Sequence, residues 1–159
     1  MKNITKIALA LLIVLVGCGT VSSVSFYDYA SQVIRTEFDG SYVIRSCGKG
    51  SNSAAAMAEA QKVAVYDVVF NGVASSSTRI QPLKPLLLEV NAKTKYQDYF
   101  NAFFADGGEY TKYFSIANKR AASSDFKRSR QQVQCVTTVT VDVAGLKQKL
   151  MVDNIIKRK

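Results

Sequence analysis

The chain has no histidine. That absence removes the commonest general base, the Ser-His-Asp triad and most zinc sites. Its carboxylates are scattered: Asp28, Glu37 and Asp39 come nearest to a cluster, and they read as a solvated loop rather than a paired-carboxylate hydrolase site. There is no Cys-x-x-Cys pair, so thioredoxin-like redox chemistry has no support. Gly48-Lys49-Gly50-Ser51 lacks the Gly-x-x-x-x-Gly-Lys-Ser/Thr spacing of a phosphate loop. The apolar run at residues 7–16 spans ten positions, where a membrane-crossing helix needs about 20. No internal repeat is visible. These absences point to a non-catalytic protein with no cofactor, no metal site and no spanning helix.

What is present begins with that short apolar run. Lys2 and Lys6 flank its start, Gly17-Cys18-Gly19 ends it, and a polar stretch over residues 20–25 follows. A basic n-region, an apolar h-region and a small residue before the cut make a secretory leader over residues 1–17. Leu15-Val16-Gly17-Cys18 resembles the lipobox of bacterial lipoproteins. The resemblance implies that Cys18 becomes the acylated first residue of the mature chain. At about 0.8 kcal/mol per buried CH2, more than one acyl chain gives durable anchoring. Gly19 stands where an aspartate would signal inner-membrane retention, and residues 19–25 lack an acidic export cluster. The expected location is therefore the outer membrane, facing the periplasm.

The formal net charge is +9, and loss of Lys2 and Lys6 leaves the chain basic. A basic envelope protein can meet anionic lipid, cell-wall polymer or an acidic partner, or the charge can simply maintain solubility. With Cys18 lipidated, Cys47 and Cys135 remain as an even pair in an oxidising compartment. Both fall in expected strands, which makes them a candidate disulfide. Closing so long a loop stabilises by about 4–5 kcal/mol in the chain-entropy picture. The alternative is two buried reduced thiols acting as small hydrophobes.

Residues 18–39 read as a tether and N-terminal segment. Within it residues 26–38, with Tyr29, Val33, Ile34 and Phe38, suggest a short helix or loop packed on the domain. Residues 40–159 read as one α+β domain with a helical insertion near residues 83–108. Residues 41–47 alternate as a strand, and Gly48-Lys49-Gly50 breaks it. An Ala-rich helix is expected over residues 54–70, stopped by Asn71-Gly72. A second helix is expected over residues 91–106, with an aromatic stripe of Tyr96, Tyr99, Phe100, Phe103 and Phe104. Residues 109–118 read as a strand, and residues 119–130 as a basic turn. Residues 131–143 form the clearest strand, with Val133, Cys135, Thr137, Val139, Val141 and Val143 on one face. A last helix opens at Asp142 or Ala144. The pattern is a small, mainly antiparallel sheet with helices on one face.

Gly48-Lys49-Gly50, then Ala56, Ala60 and Ala64, then Asn71-Gly72-Val73, and later residues 141–150 carry a further likeness. This arrangement resembles the lipoprotein-twenty family of small outer-membrane lipoproteins and the N-terminal domain of flagellar assembly protein T. The resemblance implies an envelope-associated, non-catalytic domain and carries no catalytic residues.

Two functional classes follow. The first is a lipid-anchored structural or protein-interaction module with an envelope protein partner; its compartment excludes nucleic acid. Its contact candidates are the basic residues Lys119, Arg120, Lys127, Arg128 and Arg130, which otherwise form a solvated hairpin tip. The second is a lipid- or glycan-binding module built on Tyr96, Tyr99 and Phe103, whose other reading is core packing.

Overall fold

The computed structural model describes residues 31–116 and 126–157. Within them the fold is α+β. Strands β1 (Gln32–Thr36), β2 (Tyr42–Gly50), β3 (Ala74–Ser75), β4 (Phe114–Ile116), β5 (Phe126–Arg128) and β6 (Val133–Val141) form one sheet. Its order is β3-β1-β2-β6-β4, with β5 also on β6. All pairings are antiparallel except β1 with β3. Helices α1 (Ser53–Phe70), α2 (Ala92–Lys95), α3 (Gln97–Phe103) and α4 (Val143–Val152), with a 3-10 helix at Glu109–Tyr113, complete the fold.

The chain enters the sheet earlier than the sequence suggests. Residues 32–36 form a strand, not a helix or loop, and Val33 is fully buried in the core. The domain therefore takes in β1. Phe38, expected to pack on the domain, is fully exposed at the β1–β2 turn. There Gly40 takes a left-handed φ of 84°, and the Asp39 carboxylate accepts the Ser41 amide at 2.9 Å. That bond holds the Asp39 carboxyl below its ordinary range.

The second departure concerns Gly48-Lys49-Gly50. These residues continue β2 rather than break it, pairing with Cys135, Gln134 and Val133 of β6. Ser46, Gly48 and Gly50 share the face that meets α1, because side chains alternate along a strand. A Cβ on Gly48 would sit 2.1 Å from the Ala60 nitrogen, and one on Gly50 2.5 Å from the Ala56 nitrogen. The Ser46 hydroxyl donates to the Ala60 carbonyl at 2.7 Å. Small residues on the strand and buried Ala56, Ala60 and Ala64 on the helix thus let two backbones nearly touch.

Helix α1 starts where the Asn52 side chain accepts the Ala55 amide at 2.9 Å, a conventional N-cap. It ends where Asn71 and Gly72 both donate to the Asp67 carbonyl, with Gly72 at φ 76°. Two of its last-turn carbonyls, on Val68 and Val69, accept Leu86 and Leu87 amides, which satisfies groups a helix end leaves open. Helix α4 is capped by Asp142, whose carboxylate accepts the Gly145 amide at 2.8 Å.

The core lies between sheet and helices. Val33, Ile44, Val139 and Val141 meet Val65, Val68 and Val69 of α1 and Leu146 and Leu150 of α4. The region near residues 83–108 belongs to this core through Leu87, Ala92, Phe100 and Phe103. Its expected single helix is two, because Tyr96 leaves helical geometry at φ −112°, ψ 30°. Residues 109–113, expected to be strand, form the 3-10 helix instead. No helix among the described residues is long and apolar enough to cross a membrane.

Candidate functional site

Cys18, Lys119 and Arg120 lie outside the described residues. The other expected site residues fall into three places.

Cys47 and Cys135 are not joined by a disulfide. The register explains why. Cys47 pairs with Val136, and Gly48 with Cys135, so the two thiols project from opposite faces of the sheet. Cys135 is buried toward α1, while Cys47 is half-buried on the far face, its sulfur accepting the Gln134 side-chain amide at 2.9 Å. The candidate bridge is thus corrected: adjacent positions in the ladder do not suffice when the pleat turns them apart.

The aromatic stripe is also rearranged. Phe103 is 2 % exposed and packs in the core, against Phe100, Phe104 and Tyr113. Tyr96 and Tyr99 are half-buried. The Tyr99 hydroxyl donates to Asp153 of the chain just after α4 at 2.6 Å, and burial together with that bond raises its pKa well above the ordinary tyrosine value. Tyr96, Tyr99 and Phe103 therefore do not form the open, concave cluster that a ligand site on this face would need.

An open groove forms on the other side of α3. It holds about 430 Å3 and is lined by Tyr66, Phe70, Phe100 and Phe104, with Lys93, Thr94, Gln97 and Asn101 completing the wall. That volume falls within the roughly 300–1,000 Å3 of small-molecule sites. Tyr66 and Phe70 lie 4.7 Å apart, and Phe70 meets Phe100 edge-on at 4.7 Å. The Lys93 ammonium rests 4.7 Å from the Tyr66 ring centre and 5.0 Å from that of Phe70. Exposed cation–π contacts of this kind are worth about 0.5–1 kcal/mol. A second groove of about 500 Å3, at the C-terminal end of α1, includes Asp67 and Asn71, but those two side chains bond each other at 2.7 Å.

The third place is the far face of the sheet. Every described helix packs on the Ile44–Val139 side. Cross-strand partners share a face, so the register puts Gln32, Arg35, Val43, Arg45, Cys47 and Lys49 on the other side. Lys127, Gln134, Val136, Thr138, Thr140 and Ser115 join them there. Among the described residues no carboxylate occupies a strand position on that face. A bulge between Val33 and Arg35 turns Arg35 outward although Val33 points inward.

The expected basic cluster is split by the same alternation. Lys127 lies on the far face, Arg128 turns to the helix side near the Ser53 hydroxyl, and Arg130 is exposed in the turn beyond β5. Arg35 went unread in sequence because residues 26–38 read as a helix or loop, and Lys49 because two glycines concealed the second half of β2. Once residues 48–50 are strand, the alternation of Ile44, Ser46 and Gly48 with Arg45, Cys47 and Lys49 is plain.

Among the described residues no group of three His, Cys, Asp or Glu side chains converges to hold a metal. No family model, curated protein or solved structure matches the chain.

Proposed function

We propose that this chain is a lipid-anchored, non-catalytic envelope protein whose domain docks an acidic partner protein through the far face of its sheet. The leader over residues 1–17, the lipobox ending at Cys18 and the likeness to the lipoprotein-twenty family support anchoring at the outer membrane. One observation carries the docking role. The sheet has helices on one side only among the described residues, and its other side presents Arg35 and Arg45 with no carboxylate at a described strand position. Charge of one sign on an interaction face speeds encounter with a complementary partner and rejects like-charged ones.

The test is photocrosslinking in intact cells. A crosslinking residue at Thr138 or Thr140 should capture one reproducible envelope protein, while one at exposed Ala58 on α1 should not. Capture that is equal from both faces, or absent from the sheet face, overturns the docking role. Anchoring is read separately: Cys18→Ser should leave an unprocessed chain that takes up no fatty-acid label.

A further inference from the structure

We infer that the groove between α1 and α3 is a binding site for a short acidic glycan. Its floor is aromatic: the rings of Tyr66, Phe70 and Phe104, tilted 42–60° to one another, give an apolar concave surface against which the C–H side of a sugar ring can pack. Its rim is polar. Gln97 and Asn101 stand one turn apart on α3, with Thr94 beside them, all three exposed. Among the described residues these side chains make no hydrogen bond, so their amide and hydroxyl groups remain available to sugar hydroxyls. Two amides, each both donor and acceptor, suit the mixed donor–acceptor character of vicinal hydroxyls better than they suit a lipid tail.

Lys93 decides the charge. Among the described residues it is the one charged side chain in the groove wall, and no carboxylate lines the site. Its ammonium lies over the rings of Tyr66 and Phe70. That contact is weak and sits on a flexible four-carbon stem, so a sugar entering the groove displaces it easily. The displaced ammonium is then placed to meet a negative group on the same ligand. Lys93 thus selects for acidic sugars.

This site lies on the helix side of the molecule, away from the proposed docking face, and stands independently of it. The test titrates the mature chain with digalacturonate, with a neutral disaccharide of similar size (lactose) and with choline, following ring proton signals of Tyr66 and Phe104 by NMR. Digalacturonate should shift those signals saturably, and lactose should bind several-fold more weakly. Gln97→Ala and Asn101→Ala, at exposed positions that hold no internal bond, should each weaken digalacturonate about fivefold to tenfold. Lys93→Met should abolish the preference for the acidic sugar, and Lys93→Arg should retain it. Equal binding of lactose, binding of choline alone, or no saturable shift with any of the three overturns the inference.

Discussion

Gly48 is the position where a single atom has the largest consequence. A Cβ there meets the Ala60 nitrogen at 2.1 Å and the Ala56 carbonyl at 2.3 Å, both backbone atoms that no rotamer change can move. Overpacking a well-packed interface typically costs about 1–3 kcal/mol, and a backbone clash lies at the upper end. Gly48→Ala should therefore lower stability by about 3 kcal/mol or more in urea unfolding. Ser46→Ala, which removes only the bond to Ala60, should cost about 1 kcal/mol. Little difference between the two variants would mean that α1 can retreat from β2 without penalty. The thiols offer a second check at this scale. In the unfolded chain without reductant, both Cys47 and Cys135 should be alkylated, and in the folded chain half-buried Cys47 should react well before buried Cys135. The sequence displayed the small residues on both sides of this interface, but glycine's poor strand propensity hid the pairing. Tertiary contact with α1, not intrinsic preference, keeps these glycines in the sheet.

Elements are joined by a small ionic network at the end of the molecule where α4 finishes. Lys149 of α4 bridges to Glu109 of the 3-10 helix at 2.9 Å and to Asp153 at 3.1 Å, and Tyr99 of α3 donates to the same Asp153 oxygen. Hydrogen bonds from Lys149 and Lys112 hold the Glu109 carboxyl below its ordinary 4.5. Lys95 does the same for Glu89. A carboxyl depressed in the folded state adds stability above its ordinary value, and that contribution fades as pH falls through the folded value. Lys149 and Tyr99 shift the opposite way, both raised, so their contribution is complete below about pH 10 and fades as pH rises beyond it. Melting temperature should thus be flat near neutrality and drop on both sides. Lys149→Met should lower it at pH 7 while shrinking the further fall between pH 5 and pH 3. If the variant keeps the full acid drop, the network does not set that limb. Tyr99→Phe should cost roughly 1 kcal/mol at pH 7 and flatten the alkaline limb. The long-range partners, Lys149 with Glu109 and Tyr99 with Asp153, could not be paired by inspection. Glu109 and Lys149 lie 40 positions apart in the chain, and the 3-10 helix that presents Glu109 reads as strand in sequence.

At the scale of the whole molecule, the α+β class and the one-sided layering were legible, because residues 133–141 alternate cleanly and α1 is rich in helix formers. The candidate sites were less so. Each depends on which way a side chain turns: the bulge that sends Arg35 outward, the continued strand that sends Lys49 with it, and the break at Tyr96 in the aromatic segment. The layering leads to the last prediction. If the far face of the sheet docks an acidic partner, affinity should depend on its positive potential rather than on one contact. Arg35 is 62 % exposed at its side chain and engages Glu37 at 2.7 Å, a surface pair worth little by itself, so its charge remains available to a partner. Arg45 is exposed beside it, across from Gln32 and Thr138. Reversing both, as Arg35→Glu with Arg45→Glu, should cut crosslinking from Thr140 about tenfold without unfolding the domain, since neither side chain enters the core. Raising salt from 0.05 to 0.5 M should weaken capture by the unaltered chain and scarcely affect the double variant, because screening acts only on charges that still attract. Gln97→Ala and Asn101→Ala, on the opposite side of the molecule, should leave the capture unchanged. A double variant that captures its partner as well as the original chain would show that the sheet face owes its binding to something other than charge, and the positive alternation along β2 would then be only solvent-facing.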